Sequence, residues 1–426
     1  MINNTLEYLY NLKREGIKLD LGATRDFARH LKNPQNNFKS IHIAGTNGKG
    51  SIASYTYSML HQNHNTGMYT SPHLINFNER IIFNNSMISD QYIINFMEEN
   101  RDYIENLAKA YRNPTFFETT TVMAFKYFSD MGAEYAAIEV GLGGRLDSTN
   151  IIDPEVSVIG QIGYEHFQRL GCSLTSIAHE KGGIIKAGRP VVLQDEKPEV
   201  VAEIKKIAEI RNSKFITIKD SCSVSDLKYD INSTAFKLST PVNVYNIETK
   251  NLGLFQVKNI ETAVVAIEQL GILDKSDIEK GISESRWPSR FDVISREPLV
   301  IMDSSHNPPA ATALARSFSE IVRKKPLLVI GMLDDKDYFS YLSIISKLSD
   351  SVIFTTPDEP SRAIPPEILA YRAKSLFKNI KVIDDPIKAY EFAIKENDCV
   401  LITGSMYLIG ALKKYLSSSV RPSNIN

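Results

Sequence analysis

The sequence is short of several things, and each shortage removes a class of function. Only three of its 426 residues are cysteine: Cys172, Cys222 and Cys399. They are scattered without metal-type spacing and cannot all pair, so neither a disulfide scaffold nor a cysteine zinc module is expected. A reducing cytoplasm is the expected compartment. No apolar run approaches the ~18 residues of a membrane span. The opening Met1-Ile2-Asn3-Asn4 has no basic segment leading into an apolar one, so no secretory leader is expected. Neither charge sign is in excess, with 49 Lys plus Arg against 50 Asp plus Glu. No overall field therefore favours nucleic acid or an acidic membrane surface. Internal repeats are absent, and the only low-complexity stretch is a polar tail after Tyr415.

What remains is an ordinary globular composition, 43% hydrophobic and 23% charged, in a chain long enough for two or three domains. One stretch stands out. Phe38 to Ala44 reads as a short buried strand, followed by Gly45-Thr46-Asn47-Gly48-Lys49-Gly50-Ser51 and then a helix predicted from Ser51 onward by Ile52, Tyr55, Met59 and Leu60. Strand, glycine loop and helix form a phosphate cradle. Glycines let the backbone approach an anion, successive N–H groups and the helix N-terminus face it, and Lys49 adds a point charge. Ser51 supplies a hydroxyl for a nucleotide-bound magnesium. The spacing is unusual: Gly45 and Gly48 enclose only two residues, and Gly50 separates Lys49 from Ser51. The plainer alternative is a tight turn with a surface lysine.

Further strands end in polar loops. Gly67–Tyr69 leads into Thr70-Ser71-Pro72-His73. Tyr135–Val140 carries Glu139 near its end and runs into Gly141-Leu142-Gly143-Gly144-Arg145-Leu146-Asp147-Ser148-Thr149-Asn150. Val156–Ile162 leads to Tyr164-Glu165-His166. A carboxylate on an otherwise apolar strand needs compensation, from a metal or from a hydrogen-bonding or ionic partner. Ser71, Glu139 and His166 could converge at the carboxyl edge of one sheet, where open α/β sheets bind ligands. Two helices with a break at Asn113–Thr119 are predicted over 90–131. Residues 16–22 read as a glycine-bounded connector, and Lys181 by default reads as a solvated lysine paired to an acid.

Alternation near 223–249, as in Phe236-Lys237-Leu238, predicts a small antiparallel sheet. Arg286-Trp287-Pro288-Ser289-Arg290-Phe291 holds the only tryptophan and looks like a boundary. Beyond it the alternation of strand and helix restarts, with polar loops at Asp303-Ser304-Ser305-His306-Asn307, Gly331–Asp337 and Thr403-Gly404-Ser405. The expected architecture is α/β: a P-loop-type, doubly wound, mostly parallel sheet domain with a small antiparallel add-on sheet, followed by a smaller Rossmann-like α/β domain. The expected domains are an ATP-binding domain over 1–285, a linker over 286–297 and a second α/β domain over 298–426. From pattern alone this is a two-domain ATP-using enzyme with its site expected in the cleft between domains.

Taken together, these stretches resemble the folylpolyglutamate synthase/dihydrofolate synthase family of the Mur ligase superfamily. The matching pieces are Ala44–Ser51, Tyr69–Leu74 with Asn78-Glu79-Arg80, Glu139–Asn150, Glu180–Lys186, Arg286–Phe291, Asp303–Pro308 and Gly331–Asp337, in family order over almost the whole chain. The resemblance implies an ATP-dependent amide ligase joining L-glutamate to dihydropteroate or a folate through an acyl phosphate, bifunctional between the two acids. A monomer acting on small molecules is expected, with neither nucleic acid nor membrane as partner. By position, Gly45, Thr46, Asn47, Gly48, Lys49, Gly50 and Ser51 would bind ATP, with Asn259, Arg290, Asp303 and His306. Mg2+ would be held by Ser51, Ser71, Glu139 and His166, and by Lys181 in a carbamylated form. Lys49, Lys181 and His166 are the expected catalytic residues. The resemblance places Asp20, Phe117, Glu118 and Asp147 near the pterin and Ser405 near the glutamate. The chain departs from the family pattern at Glu165, at Gly183 (usually alanine, here adding backbone freedom), at Phe255 in place of a histidine, and at Ser304-Ser305. The alternatives are a Mur-type ligase acting on a different acid and a non-catalytic nucleotide switch.

Overall fold

A computed structural model describes residues 2–12, 20–110, 112, 114–164, 170–359 and 361–419. The chain folds into two compact units. Residues 1–225, 237–247 and 258–285 form the first, and residues 226–236, 248–257 and 286–426 the second. No helix among the described residues is long and apolar enough to cross a membrane.

The first unit is built on strands β1 (Lys39–Ala44), β2 (Thr66–Tyr69), β3 (Ile81–Phe83), β4 (Ser86–Met87), β5 (Tyr135–Glu139), β6 (Val156–Ile159), β7 (Val191–Leu193) and β8 (Phe215–Thr217). They form one sheet in the order β4-β3-β2-β5-β1-β6-β7-β8. From β2 to β8 across the sheet every pairing is parallel, and β3 and β4 add an antiparallel edge. Parallel strands are covered on both faces, so they read as continuous apolar runs rather than alternating ones. β5 and β6 are buried throughout, and β1 is buried except at Lys39. Burying a side chain such as Ile43 stabilises by about 1.5–3 kcal/mol.

β1 sits centrally, with β5 on one side and β6 on the other. The chain leaves β1 for β2 on the β5 side and later crosses to β6 on the other side. The carboxyl end of β1 is therefore the switch point where a doubly wound sheet opens a crevice. The helix Lys49–Leu60 starts there, and the helix Phe116–Asp130 contributes Val122, Phe125 and Phe128 to a core shared with Phe27, Tyr69 and Ile138. That helix begins at Phe116, so Phe117 and Glu118 lie in its first turn rather than in the break between helices. Thr115 caps it, its hydroxyl accepting from the Glu118 N–H while the Glu118 carboxylate accepts from the Thr115 N–H.

A three-stranded sheet, β11-β10-β9, is formed by β9 (Ser223–Tyr229), β10 (Thr234–Ser239) and β11 (Val244–Thr249). Phe236, Leu238, Tyr245 and Ile247 alternate inward, the period-two burial of a one-faced sheet.

The second unit carries a six-stranded sheet, β12-β13-β17-β14-β15-β16. Its strands are β12 (Asp292–Arg296), β13 (Leu299–Asp303), β14 (Leu327–Ile330), β15 (Ser351–Phe354), β16 (Asn379–Val382) and β17 (Cys399–Thr403). All pairings are parallel except β12 with β13. Residues 286–297, which read from sequence as a linker, thus contain an edge strand of this sheet. Its residues are only partly buried, so no apolar run announces it.

Candidate active site

In the first unit, β1 delivers the chain into a turn that closes on itself. Gly48 takes a left-handed conformation (φ 86°) and caps the helix that starts at Lys49. A Cβ on Gly48 would lie 2.6 Å from Asn259 Oδ1, so glycine is required both for the turn and for the close approach. Asn259 is buried and accepts from Gln194 Nε2 at 3.1 Å. The Thr46 hydroxyl donates to Gly163 O at 3.1 Å and lies 3.0 Å from the Gly163 N–H, while the Thr46 N–H donates to Gln161 O. These bonds tie the loop after β1 to the loop after β6.

Two ammonium groups meet at one carbonyl here. Lys49 Nζ donates to Gly45 O at 3.1 Å and Lys181 Nζ donates to the same oxygen at 2.8 Å. Lys181 is 1% exposed, so its default reading as a solvated lysine is corrected. It projects from the helix Leu174–Gly182 to the loop after β1. Gly144 and Gly183 let the loop after β5 approach that helix. A Cβ on Gly144 would meet Glu180 O at 2.7 Å, and one on Gly183 would meet Arg145 Cβ at 2.3 Å. Gly183 itself is right-handed (φ −62°), so its role is close packing and not the backbone freedom read from the sequence.

Glu139 ends β5, is 5% exposed, and accepts from the Ser71 N–H at 3.0 Å. This hydrogen bond joins two of the residues expected to hold metal. Ser51 is buried in the first turn of its helix. His166 and Glu165 lie outside the described residues. Among the described residues no group of three or more His, Cys, Asp and Glu side chains could hold a metal. Glu139, Ser51 and Ser71 would instead offer one carboxylate and two hydroxyls. Those are hard oxygen ligands that suit magnesium, which commonly keeps waters and phosphate oxygens for its remaining positions.

The residues expected near the pterin separate into two arrangements. Arg112, which sequence reading overlooks, makes a bidentate pair with Glu118 at 2.8 and 2.7 Å and reaches Asp20 at 2.8 Å. Burial raises the pKa of Asp20, but the Arg112 guanidinium and nearby backbone N–H groups outweigh it and carry the carboxyl below its usual value. Glu118 thus anchors a helix start and an arginine. Phe117 packs over Gly141, where a Cβ would lie 2.4 Å from its ring, and stacks near Tyr69 with centroids 6.1 Å apart. Asp147 is buried, with Oδ2 accepting from the Leu142 N–H and Oδ1 from the N–H and hydroxyl of Thr149. Glu79 gathers three backbone N–H groups, those of Leu74, Ile75 and Asn76, and shapes the loop after Ser71.

The second unit presents its own polar rim. Asp303 ends β13 and accepts from the N–H groups of Phe291 and Ser305, each at 2.8 Å. Burial pushes its pKa up against the opposing pull of Arg290. Ser289 (φ 63°) and Phe291 (φ 50°) flank Arg290 in left-handed conformations. Such positions cost about 1–3 kcal/mol each and persist only where contacts over-determine them. Here Asp292, Asp303 and Ser304 supply those contacts. The hydroxyls of Ser305, Tyr341 and Thr403 form a closed triangle with sides of 3.0, 3.0 and 2.7 Å, fixing the turn that carries His306. His306 Nδ1 lies 2.9 Å from Ser304 O and donates to it. Ser405 is buried and accepts from the Tyr407 N–H, at the start of the helix Met406–Ser419.

The Mur ligase middle domain matches residues 43–267, and the Mur ligase glutamate ligase domain matches residues 289–406. The chain is 31% identical over 419 residues to a dihydrofolate synthase/folylpolyglutamate synthase of Bacillus subtilis, covering 96% of this chain and 97% of that one. Among solved structures, Mycobacterium tuberculosis folylpolyglutamate synthase complexed with ADP and AMPPCP superimposes with a TM-score of 0.91 at 28% identity, covering all of both chains. E. coli FolC in complex with DHPP and ADP does so with a TM-score of 0.86 at 26% identity, covering 99% of this chain and 98% of that one.

Proposed function

The chain belongs to the folylpolyglutamate synthase/dihydrofolate synthase family of Mur ligases, and from that premise we propose that it joins L-glutamate to dihydropteroate and to reduced folates. It is an ATP-dependent ligase. The observation that carries the nucleotide assignment is the convergence of Lys49 and Lys181 on the Gly45 carbonyl, at the end of the central strand. Lys49 beside a glycine turn and a helix N-terminus offers a site for phosphate, with Lys181 at the same carbonyl as a second cation or, once carbamylated, as a metal ligand.

The chemistry follows from the poor electrophilicity of a carboxylate. An oxygen of the pterin acid attacks the γ-phosphorus of ATP, the bond to the bridging oxygen breaks, and ADP leaves. The acyl phosphate then has a good leaving group. The glutamate amine, in its neutral form, attacks the carbonyl carbon, the C–O bond to phosphate breaks, and the amine gives up a proton as the amide forms. Gly45 to Ser51 hold the nucleotide, and Lys49 stabilises negative charge on the transferring phosphoryl group. Asn259 supports the loop from behind Gly48. Arg290, Asp303 and His306 of the second unit are assigned to the nucleotide and Ser405 to glutamate by family position. Phe117 offers a ring to a flat heterocycle. Asp147, Glu118 and Asp20 shape the acid-binding loops.

Glu139 and the hydroxyls of Ser51 and Ser71 would hold magnesium, together with His166, and the ion would neutralise phosphate charge. Carbamylation of Lys181 would exchange its ammonium for a carboxylate that can join that set. A 13C-bicarbonate carbamate resonance that vanishes in Lys181→Ala would support this, and an identical spectrum in the two proteins would reject it. We place the enzyme in the cytoplasm as a monomer acting on small molecules.

The reading is tested by phosphate release from ATP. Release that requires both a pterin acid and L-glutamate supports it. Release with neither, or none with any pterin acid, would end it. A substrate panel including cell-wall nucleotide peptides separates the Mur-type alternative.

A further inference from the structure

β1 carries a histidine that nothing in the chemistry above uses. His42 is fully buried, three residues before Gly45, and its Nε2 lies 2.8 Å from Thr149 Oγ1. The Thr149 hydroxyl is in turn 2.5 Å from Asp147 Oδ1. His42 Nδ1 is buried with no hydrogen-bond partner among the described residues.

A hydroxyl has a single proton, so the chain runs in one of two directions. In the first, Asp147 is a carboxylate, Thr149 donates to it, and His42 donates from Nε2–H, leaving an unprotonated Nδ1 in the apolar interior. In the second, Asp147 is protonated and donates to Thr149, Thr149 donates to Nε2, and His42 carries its proton on Nδ1. That second arrangement strands a buried N–H donor. It also adds a second proton beside an Oδ1 that already accepts from the Thr149 N–H at 3.0 Å. A stranded buried donor is the costlier fault. Burial keeps His42 neutral, and the nearby positive charge of Lys186, whose Nζ donates to Asn150 O at 3.2 Å, acts in the same direction. Burial pushes Asp147 up, while its hydrogen bonds from Thr149, Leu142 and Gly141 oppose that shift.

We propose that His42 is a positioning residue that acts through Thr149 to hold Asp147 as an oriented carboxylate, and so fixes the Gly141–Asn150 loop against the strand that carries the phosphate loop. Asp147 gathers the N–H of Leu142 from one end of that loop and Thr149 from the other. The relay therefore sets the loop's shape and does not contact the reacting atoms. This rests on the reading that the loop after β5 receives the acid substrate. Its signature is selectivity between substrates: disturbing it should weaken acid binding and leave nucleotide binding alone.

Two measurements test it. Thr149→Val keeps the shape of the side chain but removes the hydroxyl. It should raise KM for dihydropteroate by about 10–100-fold, with KM for ATP changed less than about twofold. Thr149→Ser should restore the dihydropteroate KM to within about threefold of the parent. Equal changes in both KM values, or no change, would overturn the proposal, as would failure of serine to rescue a folded valine variant. Independently of turnover, 15N NMR of the histidines in the full chain should show His42 protonated at Nε2 and bare at Nδ1 from roughly pH 6 to 8. A proton on Nδ1 would refute the relay even in an active enzyme. The expected tautomer in a protein that turns over no pterin acid would uphold the relay and reject the substrate assignment.

Discussion

The two units each build a polar loop at the carboxyl end of a parallel strand, by opposite means. The loop after β1 is made from small residues and backbone: Gly45, Gly48 and Gly50 around one lysine, closed by N–H and carbonyl groups. The loop after β13 is made from side chains, with the Asp303 carboxylate and the hydroxyls of Ser305, Tyr341 and Thr403 locked in a buried network. Backbone cradles suit an anion that must be wrapped closely, because N–H groups and a helix start carry the charge complement. Side-chain networks suit a turn that must present Arg290 and His306 at fixed angles, and they store strain at Ser289 and Phe291 to do so. The first kind of loop tolerates little change at Gly48. The second tolerates isosteric changes in proportion to the hydrogen bonds lost.

Four substitutions sharpen that contrast. The largest effect belongs to Lys49→Ala, which on the proposed assignment removes a donor to the transferring phosphoryl group and should lower turnover by about 10²–10³-fold. Unchanged turnover would remove Lys49 from the chemistry. Gly48→Ala comes next. It forces a Cβ into a left-handed position at about 1–2 kcal/mol and pushes aside Asn259, 2.6 Å away. Nucleotide affinity measured by calorimetry should fall about tenfold or more, equivalent to ~1.4 kcal/mol. In the second unit, Tyr341→Phe deletes one corner of the hydroxyl triangle and leaves Ser305 and Thr403 to each other. Chemical denaturation should show a loss of about 1–2 kcal/mol with nucleotide affinity little changed. A larger effect of Tyr341→Phe than of Gly48→Ala on nucleotide binding would reverse the comparison.

The smallest effect is a pH slope. His42 has its pKa driven well below the ordinary histidine value by burial. The unfolded chain therefore takes up a proton near pH 6.5 that the folded chain refuses. The stability His42 contributes is fully present above that pH and is lost as pH falls below it, by up to about 1.4 kcal/mol per pH unit. His42→Gln, whose amide can still donate to Thr149, should flatten that part of the profile between about pH 6.5 and 5. An unchanged slope would mean that another group is responsible.

The same contrast explains what can be read from the sequence. The glycine turn after β1 is legible because its determinants are local: glycines, a lysine and a following helix within a few residues. The parallel sheets are legible because buried strands leave apolar runs, as in Ile41–Ala44 and Tyr135–Ile138. The edge strand Asp292–Arg296 leaves none and reads as a linker. Lys181 is misleading in sequence because helical context says nothing about a carbonyl 136 residues away. His42 and the link from Arg112 to Asp20 escape notice for the same reason, since those partners lie 107 and 92 residues distant. Gly183 suggests flexibility, whereas its cause is Arg145 pressed against it. Local chemistry shows in sequence; packing between distant segments does not.

This two-unit protein couples ATP cleavage to an amide bond between glutamate and a pterin acid. The most direct test supplies ATP and labelled L-glutamate with dihydropteroate and tetrahydrofolate side by side. Labelled product is expected from both acids, with one phosphate released for each glutamate incorporated and no phosphate when either the acid or glutamate is withheld. Phosphate release indifferent to the acid, or no incorporation with either acid, would contradict it.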